Sequence, residues 1–134
     1  MNVQEIRKLD AYLKKLFGNT QIRVVPKGGE EATVSIGEDE IGELTADEDE
    51  GERSYNFRMV IQLGSDPSIQ PVPALNAYLR RRFDNDQLRV VVRPKKMDSL
   101  EVYMGEEFIG VLFVENEKGR RSYIFERPIL DVDL

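Results

Sequence analysis

The chain has 134 residues, no Cys and no His, and a formal net charge of −6. Those two absences exclude disulfides, thiolate chemistry and every nucleophile–His relay, and they remove the commonest zinc ligand. With 40% hydrophobic and 33% charged residues, the composition is that of a globular domain and not of a disordered chain.

The N-terminus, Met1 to Arg7, lacks the apolar core of a signal peptide. No stretch approaches the roughly eighteen apolar residues of a membrane span. Both point to a cytoplasmic protein that makes no use of a membrane.

The first predicted element is a helix. Ile6, Leu9, Leu13, Leu16 and Phe17 recur at spacings of three and four, and Gly18-Asn19 supplies a stop. A strand follows in which Ile22 and Val24 alternate with Arg23. Ala32, Val34 and Ile36 form the next. Gly37 to Glu40 reads as a tight hairpin turn, Ile41 to Ala46 as a third strand, and Asp47 to Glu52 as a polar hairpin loop. A fourth strand starts at Arg53, with Tyr55, Phe57, Met59 and Ile61 on one face. Gly64 to Pro73 reads as a short, proline-rich linker.

The same series then begins again. Leu75 to Val91 repeats Leu9 to Val25 at an offset of 66, with Ala, Tyr, Leu, Phe, Asn, Gln, Arg and Val in matching places. After a two-residue difference the offset becomes 68. Val102 to Leu112 then repeats Val34 to Leu44, and Gly119 to Phe125 repeats Gly51 to Phe57. Preserved order with one gap marks an internal duplication. In the second copy Leu75, Leu79 and Phe83 give the helix, Pro73 suits its first turn, and Asp84-Asn85 ends it. Leu88/Val90, Leu100/Val102/Met104 and Ile109 to Val114 give strands, with Glu115 to Arg120 as the second polar loop.

The expected fold is therefore α+β: two tandem α-β-β-β-β units, residues 1–66 and 67–134, each an antiparallel meander with a helix on one side, forming one pseudo-two-fold body. A unit of about sixty residues buries little apolar surface alone, which favours a shared core or close packing.

These residues resemble a family of short alphaproteobacterial proteins, domain of unknown function 3126. The resemblance rests on Glu5 to Gly18 for the helix, and on Arg93 to Lys96, Glu101 to Phe113, Ser122-Tyr123 and Ile129 to Leu134 for the strand region. Residues from about 27 to 92 look less typical. Joining 1–26 to 93–134 would give something close to one ordinary member. The resemblance implies a fold and a repeat; it brings no activity.

Charge is uneven. Residues 1–66 carry 8 basic and 14 acidic residues, and residues 67–134 carry 11 of each. A basic cluster, Arg80, Arg81, Arg82, Arg89, Arg93, Lys95 and Lys96, lies in the second copy, where Arg82 replaces Leu16 of the first. It reads first as a surface for protein carboxylates, since Asp84, Asp86 and Asp98 dilute its field and the chain is acidic overall. The alternative is a nucleic-acid accessory protein using the Arg80–Lys96 cluster.

The acidic run Asp47 to Glu52 lacks the pattern of a calcium loop and reads as a solvated turn. Gly37 and Gly42 recur as Gly105 and Gly110, and read as turns and a close backbone approach. Arg53 and Arg121 read as partners of a carboxylate across strands. No P-loop, dinucleotide fingerprint or nucleophile elbow is present, so no catalytic residue, cofactor or metal is assigned.

The outward strand face differs between copies. Ile41, Glu43 and Thr45 become Ile109, Val111 and Phe113, joined by Tyr103. Surplus apolar surface calls for a cover. The sequence therefore points to a non-enzymatic protein-interaction or self-association module, with Arg80, Arg81, Arg82, Arg89, Tyr103, Ile109, Val111 and Phe113 as its candidate surface. A carboxylate/Arg site for a small ligand or substrate between the repeats is the remaining alternative.

Overall fold

The computed structural model describes residues 1–64, 66–96, 98–117 and 119–134. Ser65, in the expected linker, and Lys118, in the expected second polar loop, lie outside the described residues.

Each copy is one helix followed by a four-stranded antiparallel meander. The first comprises α1 (Val3–Phe17), β1 (Ile22–Gly28), β2 (Glu31–Ile36), β3 (Asp39–Asp49) and β4 (Glu52–Gln62). The second comprises α2 (Pro71–Arg82), β5 (Leu88–Val92), β6 (Ser99–Met104), β7 (Glu107–Glu117) and β8 (Arg120–Leu130). A short 3₁₀ turn, Asp131–Asp133, closes the chain. The eight strands form one sheet in the order β1-β2-β3-β4-β8-β7-β6-β5. Among the described residues, no helix is long and apolar enough to cross a membrane.

By packing, the chain divides into two compact units, residues 1–59 with 127–134, and residues 60–126. Their boundaries differ from the repeat boundaries at 66 and 67. Repeats follow chain order, whereas packing assigns the last residues of β4 to the second unit and those of β8 to the first.

In the first unit, α1 opens with a capping box. The Asn2 side chain accepts from the Glu5 amide, and the Glu5 side chain accepts from the Asn2 amide. Leu9, Leu13 and Phe17 are buried with Ile22, Val24, Ala32, Val34, Leu44 and Phe57; Phe17 and Phe57 meet edge to face at 5.8 Å. In the second unit, Leu75, Leu79 and Phe83 are buried with Leu88, Val90, Val102, Leu112 and Phe125. Each helix is also tied to its first strand. Asp10 accepts from the Val24 amide at 3.0 Å, and Asn76, its counterpart, accepts from the Val90 amide at 2.7 Å.

Two expectations are corrected. The acidic run is not a loop: Asp47 to Asp49 finish β3, Glu52 begins β4, and the turn is only Glu50-Gly51. Both turn residues have positive φ, 52° and 82°, as a two-residue turn matched to strand twist requires. Ile109 is not on the outer face. Val102 pairs with Gly110 while Tyr103 pairs with Phe108, so Ile109 is the extra residue of a β-bulge. The bulge turns it to the side of Gly110 and Leu112, where it is 0% exposed. Ile41 occupies the same bulge in the first copy.

Candidate functional site

The outer face of the second copy is built by alternation. On β7, Leu112 and Gly110 face the helix side, so Val111 and Phe113 face away from it. Register carries that face across the strands. Arg89 lies opposite Tyr103, and Tyr103 opposite Phe108; Glu101 lies opposite Val111, and Val111 opposite Glu126; Phe113 lies opposite Ile124.

Phe108 and Phe113 remain 42% and 41% exposed. Tyr103 meets Phe108 edge to face at 5.8 Å. The Arg89 guanidinium stands 4.6 Å over the Tyr103 ring while its Nε donates to the Gly105 carbonyl at 2.8 Å. Arg89 is thereby tied to the Tyr103–Phe108 ring pair.

Position by position, the first copy carries polar groups there. Ser35, Glu40, Glu43, Thr45 and Asn56 stand where the second has Tyr103, Phe108, Val111, Phe113 and Ile124. The helix-facing positions did not diverge in this way: Val34/Val102, Gly42/Gly110, Leu44/Leu112, Tyr55/Tyr123 and Phe57/Phe125 are identical pairs. The two copies share their helix-side packing and differ in the polarity of these outer positions.

The basic residues are dispersed among different tasks. Arg80 Nε donates to the Leu88 carbonyl at 2.8 Å, a backbone acceptor where a carboxylate was expected. Arg82 lies 5.5 Å over the Tyr78 ring, and Arg93 donates to the Ser99 hydroxyl at 2.8 Å. Arg81 is exposed. The structure thus brings Arg89 together with Tyr103, near Val111 and Phe113, and gives Arg80 and Arg82 local roles on α2 and β5. The signal for Phe108, which sequence reasoning missed, was its replacement of Glu40 immediately before the bulge.

A second constellation lies in the first unit. Arg53 Nε bonds to Glu5, and its Nη1 approaches both Glu30, at 2.7 Å, and Glu48, at 3.7 Å. The Tyr55 hydroxyl donates to Glu5 and approaches Asp131 at 3.4 Å. Burial pushes the Glu5 carboxyl up, but hydrogen bonds from Arg53, Tyr55 and the Asn2 amide outweigh it and bring it down to about 2. Bonds to Glu30 and Glu5 raise the Arg53 guanidinium above its usual range. Burial, and then the bond to Glu5, push Tyr55 up to about 12.

Clefts of about 570 and 400 Å³ border this cluster. Its counterpart differs. Arg121 donates to the carbonyls of Asp66 and Ile69, at 3.2 and 3.0 Å, and so pins the segment before α2. This corrects the expectation of a carboxylate for Arg121. The reason lies in the helix starts, because Pro71 stands in the second copy where Glu5 stands in the first.

The family model for the protein of unknown function DUF3126 matches residues 5–64 and again residues 72–133. The chain belongs to the DUF3126 family. It contains two DUF3126 repeats, and each match coincides with one helix and its four strands. The matches run through residues 27–64 and 72–92 as well as through the ends of the chain. No curated protein matches the chain, and no solved structure does.

Proposed function

We propose that this tandem DUF3126 protein is a non-catalytic protein-interaction module, and that its contact surface is the outer strand face of the second repeat. One observation carries the reading. Five polar positions of the first repeat's outer face are apolar in the second, and Phe108 and Phe113 leave over two-fifths of their surface in water. Large rings and a stacked Arg are the residue types that anchor protein interfaces. Exposing them without a cover costs roughly 25 cal/mol for each Å² of apolar surface.

The corrected surface is Arg89, Tyr103, Phe108, Val111 and Phe113. Ile109 leaves it for the core, and Arg80 and Arg82 serve the helix. The engagement of Arg80, Arg89 and Arg93 by a carbonyl, a ring and a hydroxyl supports this reading over a phosphate-binding one, which needs Lys and Arg gathered on one face.

The test is a photo-crosslinking amino acid placed at Phe113, or at Thr45, its counterpart in the first repeat, in cells making the protein. A discrete protein adduct from position 113, absent from position 45 and abolished by Val111→Glu, is expected. Equal labelling from both positions, or none from 113, overturns the reading.

A further inference from the structure

We propose that Leu16 and Arg127 decide which strand end the first helix accepts, so that the two repeats are matched to each other and not to copies of themselves. The proposal is independent of the contact surface above. Residues 127–134 belong to the second repeat by sequence, yet they pack within the first unit. There Arg127 reaches α1. Its Nε and Nη2 donate to the Tyr12 hydroxyl at 3.2 and 2.7 Å, and its guanidinium lies 5.9 Å from the ring centre. Ile129, on the same strand end, is 1% exposed.

Tyr78 is the counterpart of Tyr12, and it too has a guanidinium over its ring. The source differs. Arg82, one helical turn further along α2, stands 5.5 Å from that ring. One tyrosine takes its cation from the last strand of the other repeat, and the other takes it from its own helix.

The matching positions carry the opposite residues. Leu16 of α1 stands where α2 has Arg82, and Met59 of β4 stands where β8 has Arg127. A helix with Leu therefore receives a strand end with Arg. A helix with Arg facing the same strand end would crowd two guanidinium groups onto one half-buried ring, and like charges repel strongly where water is scarce. A helix with Leu facing a strand end with Met would lose both hydrogen bonds to the tyrosine hydroxyl. Only the unlike combination gives Tyr12 a single cation.

The strand end carries a second mark. Asp131 lies 3.4 Å from the Tyr55 hydroxyl in the first unit. Leu63 occupies the matching place in the first repeat and has no polar side chain to offer. The strand end that fits α1 is thus one with Arg and Asp four residues apart, and the first repeat's own strand has neither.

Two substitutions in the full chain build all four combinations. Leu16→Arg sets the second repeat's helix residue against the second repeat's strand end. Arg127→Met makes the like pairing of the first kind. Both together restore an unlike pairing with the residues reversed. Denaturant unfolding at low and high salt measures each, with circular dichroism as the check on folding. Each single change should lower the folding equilibrium constant about tenfold. The double variant should be more stable than Leu16→Arg alone, with a loss smaller than the sum of the singles. Salt should shrink the loss from Leu16→Arg, because it screens the two cations. Leu16→Gln, polar but uncharged, should show a loss that neither salt nor Arg127→Met repairs.

A double variant no more stable than Leu16→Arg overturns the proposal. So does a loss from Leu16→Arg that salt leaves unchanged, or one that Leu16→Gln reproduces in full together with its repair. If Leu16→Arg does not fold at all, a folded double variant supports the proposal and an unfolded one overturns it.

Discussion

The ring of Phe125 lies where a side chain on Gly110 would have to go: a β-carbon there would sit 2.5 Å from the ring edge and 2.7 Å from the Glu126 carbonyl. Gly42 stands in the same relation to Phe57 and the Arg58 carbonyl. Gly42→Ala and Gly110→Ala should each cost about 1 to 3 kcal/mol by overpacking, seen as a lower melting temperature. Gly110→Ala combined with Phe125→Leu should cost less than the sum of the two singles. Additive losses would place the ring elsewhere.

Glu5 should make the protein acid-sensitive in a defined window. Its folded-state pKa of about 2 lies below the ordinary 4.5, so the unfolded chain takes up the proton first as pH falls. The stabilisation is full above about pH 4.5 and is lost as pH drops toward 2. Glu5→Gln should flatten that part of the pH–stability curve and cost about 1.5 kcal/mol at neutral pH. Denaturant titrations at stepped pH measure both.

Tyr55 predicts the opposite limb. Its pKa is raised from 10.0 to about 12, so the folded chain holds the phenol proton more tightly than the unfolded one. That contribution is complete below pH 10 and disappears as pH rises from 10 to about 12. Tyr55→Phe should remove this alkaline slope and leave the acid slope in place, though reduced. An unchanged alkaline limb would mean that the Tyr55 phenol is not the group that titrates there.

Asp10 and Asn76 each satisfy one amide of a first strand. Asp10→Ala should lower stability by about 1 kcal/mol and speed hydrogen exchange at Val24. Asn76→Ala should do the same at Val90. Asp10→Asn, which copies the second repeat, should leave the exchange of Val24 slow.

Much of this architecture is legible in the chain. Spacings of three and four in Leu9/Leu13/Phe17 and Leu75/Leu79/Phe83 report helices directly, because burial on one side imposes that period. Alternation in Ile22/Val24 and Tyr55/Phe57/Met59/Ile61 reports strands for the same reason. The duplication adds weight, since each element is seen twice.

Parity fails at the bulge. Ile109 and Val111 are two apart and should share a face, yet one extra residue between Tyr103 and Val102 pairings sends Ile109 inward. Composition fails at the acidic run, where Asp47 to Asp49 carry the look of a loop but pair along β4 with Ser54, Arg53 and Glu52. Solvent exposure tolerates charge on a strand as readily as on a turn. The links from Asp10 to Val24 and from Asn76 to Val90 span fourteen residues, and no local pattern announces a contact at that distance. Of the candidate surface, Tyr103, Val111 and Phe113 were readable from the comparison of the two copies, because a difference in polarity at aligned positions needs no coordinates. Phe108 needed the register.

The two helix-to-strand links have a consequence for how copies of this chain can join. β1 and β5 are the outermost strands of the sheet, and exposed strand edges are where chains add to one another without limit. A strand arriving at either edge would have to displace Asp10 from Val24 or Asn76 from Val90 and leave a carboxylate or amide stranded against it. Open-ended strand addition is thereby disfavoured at β1 and at β5.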